Sequence, residues 1–243
     1  MKSSTLLKRV IHSMEKIAPL SLAETSWDNV GVLIEAPYPR ENASKVFLTI
    51  DLTQEVLEEA ISDQFVAVIV AYHPAIFRPL KRLRMSDVKE RIALKCAASG
   101  ISVYSPHTAL DSCVGGINDW LAKSLGAGRT VPIKPVSTVI VGQEGSGIGR
   151  LHTLDEPASL DDIIGRVKAF LNLQRVRVAK CESHKDGSAR ISTIAICAGS
   201  GASVLSDVPA DLFLTGEMSH HEILATISGP TSAILCEHTN TGM

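Results

Sequence analysis

Much that would announce a function is missing from these 243 residues. No apolar run approaches the roughly 18 residues that a membrane helix needs. The longest, Phe65 to Tyr72, has the length of a strand. Neither charge sign dominates: 24 Lys and Arg stand against 26 Asp and Glu, a net charge of −2. That leaves no electrostatic case for direct nucleic-acid or membrane binding. The five cysteines (Cys96, Cys113, Cys181, Cys197 and Cys236) are odd in number and form no CxxC pair. They suit reduced, mostly buried thiols in a cytosolic compartment.

No signal peptide is expected either. Leu6, Leu7, Val10, Ile11, Met14 and Ile17 recur at helical spacing, with Lys8, Arg9, Glu15 and Lys16 between them. This is one apolar stripe on a domain helix, with folding signals from about residue 4. The expected location is the cytoplasm, with the nucleus as the alternative.

Several catalytic signatures are excluded too. There is no GxxxxGK[ST] loop, and Gly145 to Gly149 and Gly199 to Gly201 fit no GxGxxG frame. The second of these glycine runs lies between a strand and a short helix expected at Ala202 to Ser206, so it could offer backbone N–H groups to an anion. His221-Glu-Ile-Leu-Ala225 begins like HExxH, but Ala225 stands where the second His is needed. No GxSxG elbow exists, and no Cys has a neighbouring His that would mark a thiol nucleophile.

What is present is a globular chain, 45% apolar and 21% charged, long enough to bury a sizeable core. Strand, polar turn and helix alternate along it. Strands are expected at Lys45–Ile50, Phe65–Ala71, Ile101–Tyr104, Arg175–Val178, Ile191–Cys197, Asp211–Leu214 and Ala233–Cys236. Phe65–Ala71 is apolar throughout and rich in β-branched residues, as in a sheet covered on both faces. Ser86 is expected to cap a helix that closes at Gly100, and Ser159-Leu-Asp-Asp162 reads as a capping box opening a helix through Phe170. Residues 126 to 150 are turn-rich. The expected division is therefore an N-terminal α/β lobe over 1–126, a connection over 127–150 and a second α/β lobe over 151–243.

One regularity points to chemistry. His73, His107, Asp111, Glu217, Glu237 and His238 all follow directly after apolar strands. In open α/β sheets, sites gather beyond the carboxyl ends of strands. Imidazole with carboxylate suits Zn, Mn, Fe or Co. Asp111 matters because a carboxylate can bridge two cations, and the spacing His107-x-x-x-Asp111 lets the His support the Asp if the segment coils. His220 and His221 are expected on the outer face of the helix after Glu217.

Six ordered motifs carry a resemblance. They are Ser26-Trp-Asp-Asn-Val-Gly31, Tyr72-His-Pro-Ala-Ile-Phe77 with Leu80-Lys81, Tyr104-Ser-Pro-His-Thr-Ala-Leu-Asp111, Gly116-Ile-Asn-Asp-Trp-Leu121, Leu214-Thr-Gly-Glu-Met-Ser-His-His221 and Cys236-Glu-His-Thr-Asn-Thr241. From about residue 5 to the end, the chain resembles the eukaryotic branch of the Nif-three-like family, which includes the YbgI-type proteins. The resemblance implies an α/β fold of two interlinked lobes, with a dinuclear metal site at strand carboxyl ends between them. It also implies a homo-oligomer, from dimer to ring-shaped hexamer. His73, Asp111 and His238 fall on family metal ligands. The family sets a Glu four residues after the last His, and here that position is Gly242. The family's C-terminal helix is absent, so the end reads as shortened, with occupancy of one metal position expected to suffer.

Two functional readings follow. In the first, the chain is a metal-dependent hydrolase of an unidentified small molecule, with His107 or Glu217 as general base or orienter. GTP cyclohydrolase activity, a label attached to the family, finds no guanine-reading or triphosphate-binding motif to support it. In the second, the chain is a scaffold for regulatory protein partners, with structural or vestigial metals.

Overall fold

The structure, a computed structural model, describes residues 5–138 and 140–242. It is a mixed α/β chain with two sheets. The chain divides into two compact units, Met1–Leu110 and Asp111–Met243. This division lies upstream of the expected break at 126. The stripe at the N-terminus forms helix α1 (Thr5–Ile17); residue 4, where folding signals were expected to begin, lies outside the described residues.

The first unit continues with β1 (Gly31–Ile34), β2 (Lys45–Thr49), α2 (Gln54–Ser62), β3 (Val66–Ala71), α3 (Val88–Ala98) and β4 (Ser102–Ser105). Its sheet has the order β1-β4-β3-β2. β2, β3 and β4 are parallel, and β1 runs antiparallel to β4 with Gly31 opposite Ser105. The apolar run of β3 is buried almost throughout, as a central parallel strand must be. Leu57, Ile69, Cys96, Ile101 and Val103 pack on one side of it, and Leu7, Val10 and Val68 on the other. α3 is capped by the Asp87 carboxylate, which accepts from the N–H groups of Lys89 and Glu90, and not by the expected Ser86. A carboxylate is the stronger acceptor at a helix's positive end. Helix α4 (Thr108–Ser112) spans the division between the units.

The second unit holds α5 (Ile117–Ala122), β5 (Gly128–Pro135), β6 (Gly147–Ala158), α6 (Leu160–Phe170), β7 (Arg177–Ala179), β8 (Ile191–Cys197), α7 (Ala202–Leu205), β9 (Leu212–Thr215), α8 (His220–Ser228) and β10 (Ser232–Leu235). Its sheet has the order β5-β6-β8-β9-β10-β7. The segment 127–150, expected as a connection, instead supplies β5 and the start of β6. They pair antiparallel from Gly128↔Leu154 to Pro135↔Gly147. Glycine and proline in this hairpin mask its strand pattern. Gly128 is needed because a side chain there would meet the Thr153 carbonyl oxygen at 2.3 Å. β8, β9 and β10 are parallel and in register, with Cys197 beside Thr215 and Thr215 beside Leu235. The sheet buries Ile194, Ile196, Leu214 and Ile234 on one face, and Ala195, Cys197, Phe213 and Leu235 on the other. The capping box at Ser159 and Asp162 forms with both its hydrogen bonds.

Candidate functional site

Topology explains why the candidate residues of the first unit meet. β2, β3 and β4 are parallel, so their carboxyl ends open on one edge of the sheet. Asp51 follows β2, His73 follows β3 and His107 follows β4. β1 is antiparallel and starts beside Ser105, so the residues that precede it reach the same edge. Asp28 arrives there by that route.

These four residues form two carboxylate–imidazole pairs. His73 Nδ1 donates to Asp51 Oδ1 at 2.8 Å, and His107 Nδ1 donates to Asp28 Oδ1 at 2.7 Å. A carboxylate has no proton to give, so each pair puts the ring proton on Nδ1 and the lone pair on Nε2. The two imidazoles lie edge to face, with centroids 5.5 Å apart, and Trp27, Tyr72 and Phe77 stand around His107. A cavity of about 370 Å³ lies against Asp51 and His73.

Sequence reasoning missed Asp51 as a partner of His73 and, with more consequence, missed Asp28. Its side chain is wholly buried. It also accepts from the Asn29 N–H, the Thr108 N–H and the Thr108 hydroxyl. Burial works to raise its carboxyl, but hydrogen bonds from His107 and Thr108 outweigh burial and hold it below the ordinary 3.8. His107 has φ +30, a conformation uncommon outside glycine. The Asp28 hydrogen bonds hold it there, so the strain marks a position set by its surroundings. The only signal for Asp28 was its place in the motif Ser26 to Gly31, because its partner His107 lies 79 residues away.

The second unit repeats the arrangement. β8, β9 and β10 deliver Gly199, Glu217 and His238 beyond their carboxyl ends. His238 Nδ1 donates to Glu217 Oε1 at 2.9 Å, and the Ser200 hydroxyl donates to the same oxygen at 3.2 Å. The bond from His238 is the main reason the Glu217 carboxyl sits below its usual range. Backbone closeness sets the pair. The Gly199 carbonyl accepts from the N–H groups of Gly216 and Glu217, both at 3.0 Å. Gly199 has φ +62, and a Cβ there would meet His238 Nε2 at 3.0 Å. Glu237, expected near the site, pairs with Arg177 at the surface.

Asp111 lies on α4, and its carbonyl accepts from Asn118 Nδ2 at 3.0 Å. The Oδ1 of the same buried Asn118 accepts from the Ala198 N–H at 2.8 Å, tying this turn to the end of β8. Arg150, fully buried and paired with Asp119, adds a hydrogen bond to the Cys113 carbonyl at 3.0 Å. Burial, with the Asp111 charge second, pushes the Cys197 thiol up to about 12. His220 and His221 are exposed on α8, as expected.

Among the described residues, no group of three or more His, Cys, Asp or Glu side chains is arranged to hold a metal ion. The donor chemistry of the pairs nevertheless fits a borderline divalent cation. Metal-ligating histidines characteristically give their second nitrogen to a carboxylate, as His73 and His238 do.

The likeness to known proteins runs over nearly the whole chain. The profile of the family described as Duf34/NIF3 (NGG1p interacting factor 3) matches residues 5–242. "Protein NIF3 homolog" of Schizosaccharomyces pombe is 48% identical over 243 residues, covering 98% of this chain and 84% of that protein. "NGG1-interacting factor 3" of Saccharomyces cerevisiae is 37% identical over 247 residues, covering 97% and 85%. A solved structure, a Bacillus cereus protein related to NIF3, matches with a TM-score of 0.78 at 20% identity, over 96% of this chain and 88% of that one. This last likeness is one of fold.

Proposed function

The chain belongs to the Duf34/NIF3 family, and from that premise we propose that it is a divalent-metal-dependent hydrolase of a small molecule. The observation that carries the reading is the repeated pair. Histidines at three strand ends each give Nδ1 to a carboxylate: His73 to Asp51, His107 to Asp28 and His238 to Glu217. In metal sites such support fixes the tautomer and aims Nε2.

His73, Asp111 and His238 are the proposed ligands, for Zn, Mn, Fe or Co. Bound ions would supply Lewis acidity and ease the deprotonation of water. The protein's own groups do the rest. Asp51 and Glu217 fix the tautomer and direction of His73 and His238. His107, held by the buried Asp28, is the general base. Gly242 offers no carboxylate where the family sets one, so metal content should fall below two ions per chain.

The test is elemental analysis of protein purified without chelators. Bound metal in the wild type is expected, with substantial loss in His73→Ala and Asp111→Ala and a gain in Gly242→Glu. Hydrolysis of a panel of phosphoester, amide and cyclic C=N compounds should vanish in the two alanine variants. Less than a trace of metal in the wild type would sink the reading.

The name of the Saccharomyces cerevisiae relative, NGG1-interacting factor 3, favours one alternative, a scaffold for regulatory protein partners. Partner capture that is unchanged in His73→Ala and Asp111→Ala, with no hydrolysis by any form, would select it. We also propose a homo-oligomer, from dimer to hexamer, in the cytoplasm or nucleus. Light scattering of the purified protein reads the mass. No helix among the described residues is long and apolar enough to cross a membrane.

A further inference from the structure

At the far end of the second sheet lies a group that the proposed hydrolysis does not use. β7 runs antiparallel to β10, so the residues after β7 return to the start of β10, away from Glu217 and His238. Cys181 stands there as the N-cap of the 3-10 turn Glu182–His184. Its sulfur lies 3.1 Å from His184 Nδ1, 3.3 Å from the Ser183 hydroxyl and 3.5 Å from the Ser232 hydroxyl. The Ser232 hydroxyl oxygen, 2.8 Å from His184 Nδ1, accepts from the Cys181 N–H at 3.0 Å. No cysteine was expected to have a histidine partner, yet here is one three residues on. The 3-10 turn, which brings residues three apart together, is what the reading missed.

The sulfur is ringed by donors. The hydroxyls of Ser183 and Ser232 and the imidazole of His184 all lie against it. Such a shell favours the thiolate, and an adjacent imidazole can take the proton. Burial acts to raise the Cys181 thiol, but these hydrogen bonds bring it below the ordinary 9.0. The other four thiols go the opposite way. Burial raises Cys96, Cys197 and Cys236 to about 12 and Cys113 to about 11. Cys181 is itself buried, and the turn that it caps exposes Glu182, Ser183 and Lys185.

We propose that Cys181, with His184 as its base, is a peroxide-reactive thiol and a site of reversible oxidation. The reagent must be small, because the sulfur is covered, and hydrogen peroxide is the simplest member of the class. His184 takes the thiol proton. The thiolate sulfur then attacks one peroxide oxygen, forming S–O as O–O breaks. The departing hydroxide takes the proton from His184 and leaves as water. Sulfur is oxidised by two electrons to the sulfenic acid, and the peroxide is reduced to water.

The experiment exposes the folded wild-type protein to stoichiometric hydrogen peroxide for increasing times. The reaction is quenched, and the protein is denatured in excess iodoacetamide. Mass spectrometry of the peptides then shows which cysteine has lost alkylation. Cys181 should be lost first, at least about tenfold faster than any of the other four. His184→Asn should slow its loss by about tenfold, and Ser232→Ala by less. Equal loss across the five cysteines, or loss of another before Cys181, overturns the proposal. That comparison is made in the wild type and does not depend on whether a variant folds.

Discussion

Asp28 shows how much one residue can carry. Its wholly buried carboxylate has donors from His107, Asn29 and Thr108 around it, and every one of those donors would lose its acceptor without it. Asp28→Asn keeps the size but turns an NH₂ toward a donor. It should cost about 1–3 kcal/mol at neutral pH, the usual cost of an unsatisfied buried group. The pH dependence follows from the direction of its shift. The folded carboxyl lies below the ordinary 3.8, so its stabilisation is complete above that value. It is lost as pH falls through the lower, folded value, where the folded state must also take up the proton. Acid titration of the wild type and Asp28→Asn, followed by circular dichroism, should show the two curves converging below pH 3.8. A gap that persists in acid would remove the ionised Asp28 from the account.

At the scale of elements, helix ends and strand directions decide the outcome. α6 starts with a capping box in which the Ser159 hydroxyl accepts from the Asp162 N–H at 3.1 Å and the Asp162 carboxylate returns to Ser159. Ser159→Ala should therefore cost about 1 kcal/mol in denaturant unfolding, and Ser159→Asp much less. Elements of this kind were legible in the sequence. The limits of α6 match the periodic run from Ser159 to Phe170, and β8 matches Ile191–Cys197, because period and cap are local signals. β5 and β6 were not legible. Their run is broken by Pro132, Pro135 and Gly147, and the hairpin is held by cross-strand pairing that no local window contains. The cap of α3 was misplaced by one residue because Ser86 and Asp87 are both good caps, and only backbone geometry separates them.

At the scale of the whole molecule, a buried group couples folding to pH. His152 on β6 is almost fully buried, with Nδ1 2.8 Å from the Thr130 hydroxyl, and its Nε2 has no hydrogen-bond partner. Burial lowers its pKa from the ordinary 6.5. Above that value neither folded nor unfolded chain carries the proton, and stability is at its full level. As pH falls below it, the unfolded chain takes up the proton first. Stability then declines by up to about 1.4 kcal/mol per pH unit until the folded value is passed. Thermal unfolding between pH 8 and pH 5 should show this decline, and His152→Gln should flatten it while lowering the plateau. An unchanged slope in the variant would assign the decline to other groups.

The sequence by itself determined the alternation of strands and helices, the absence of a membrane helix, and the family. It also placed His73, His107, Asp111, Glu217 and His238 after strands. These are properties of local spacing and of ordered motifs, both of which survive in one dimension. Tertiary structure alone decided which of them became partners. Parallel strands brought Asp51 to His73 and Glu217 to His238, and an antiparallel β1 carried Asp28 to His107. A short turn likewise set His184 against Cys181, under cover of the same unit. The reason is physical. A hydrogen bond depends on the distance between atoms in space, and sheet order and strand direction set that distance across any number of intervening residues.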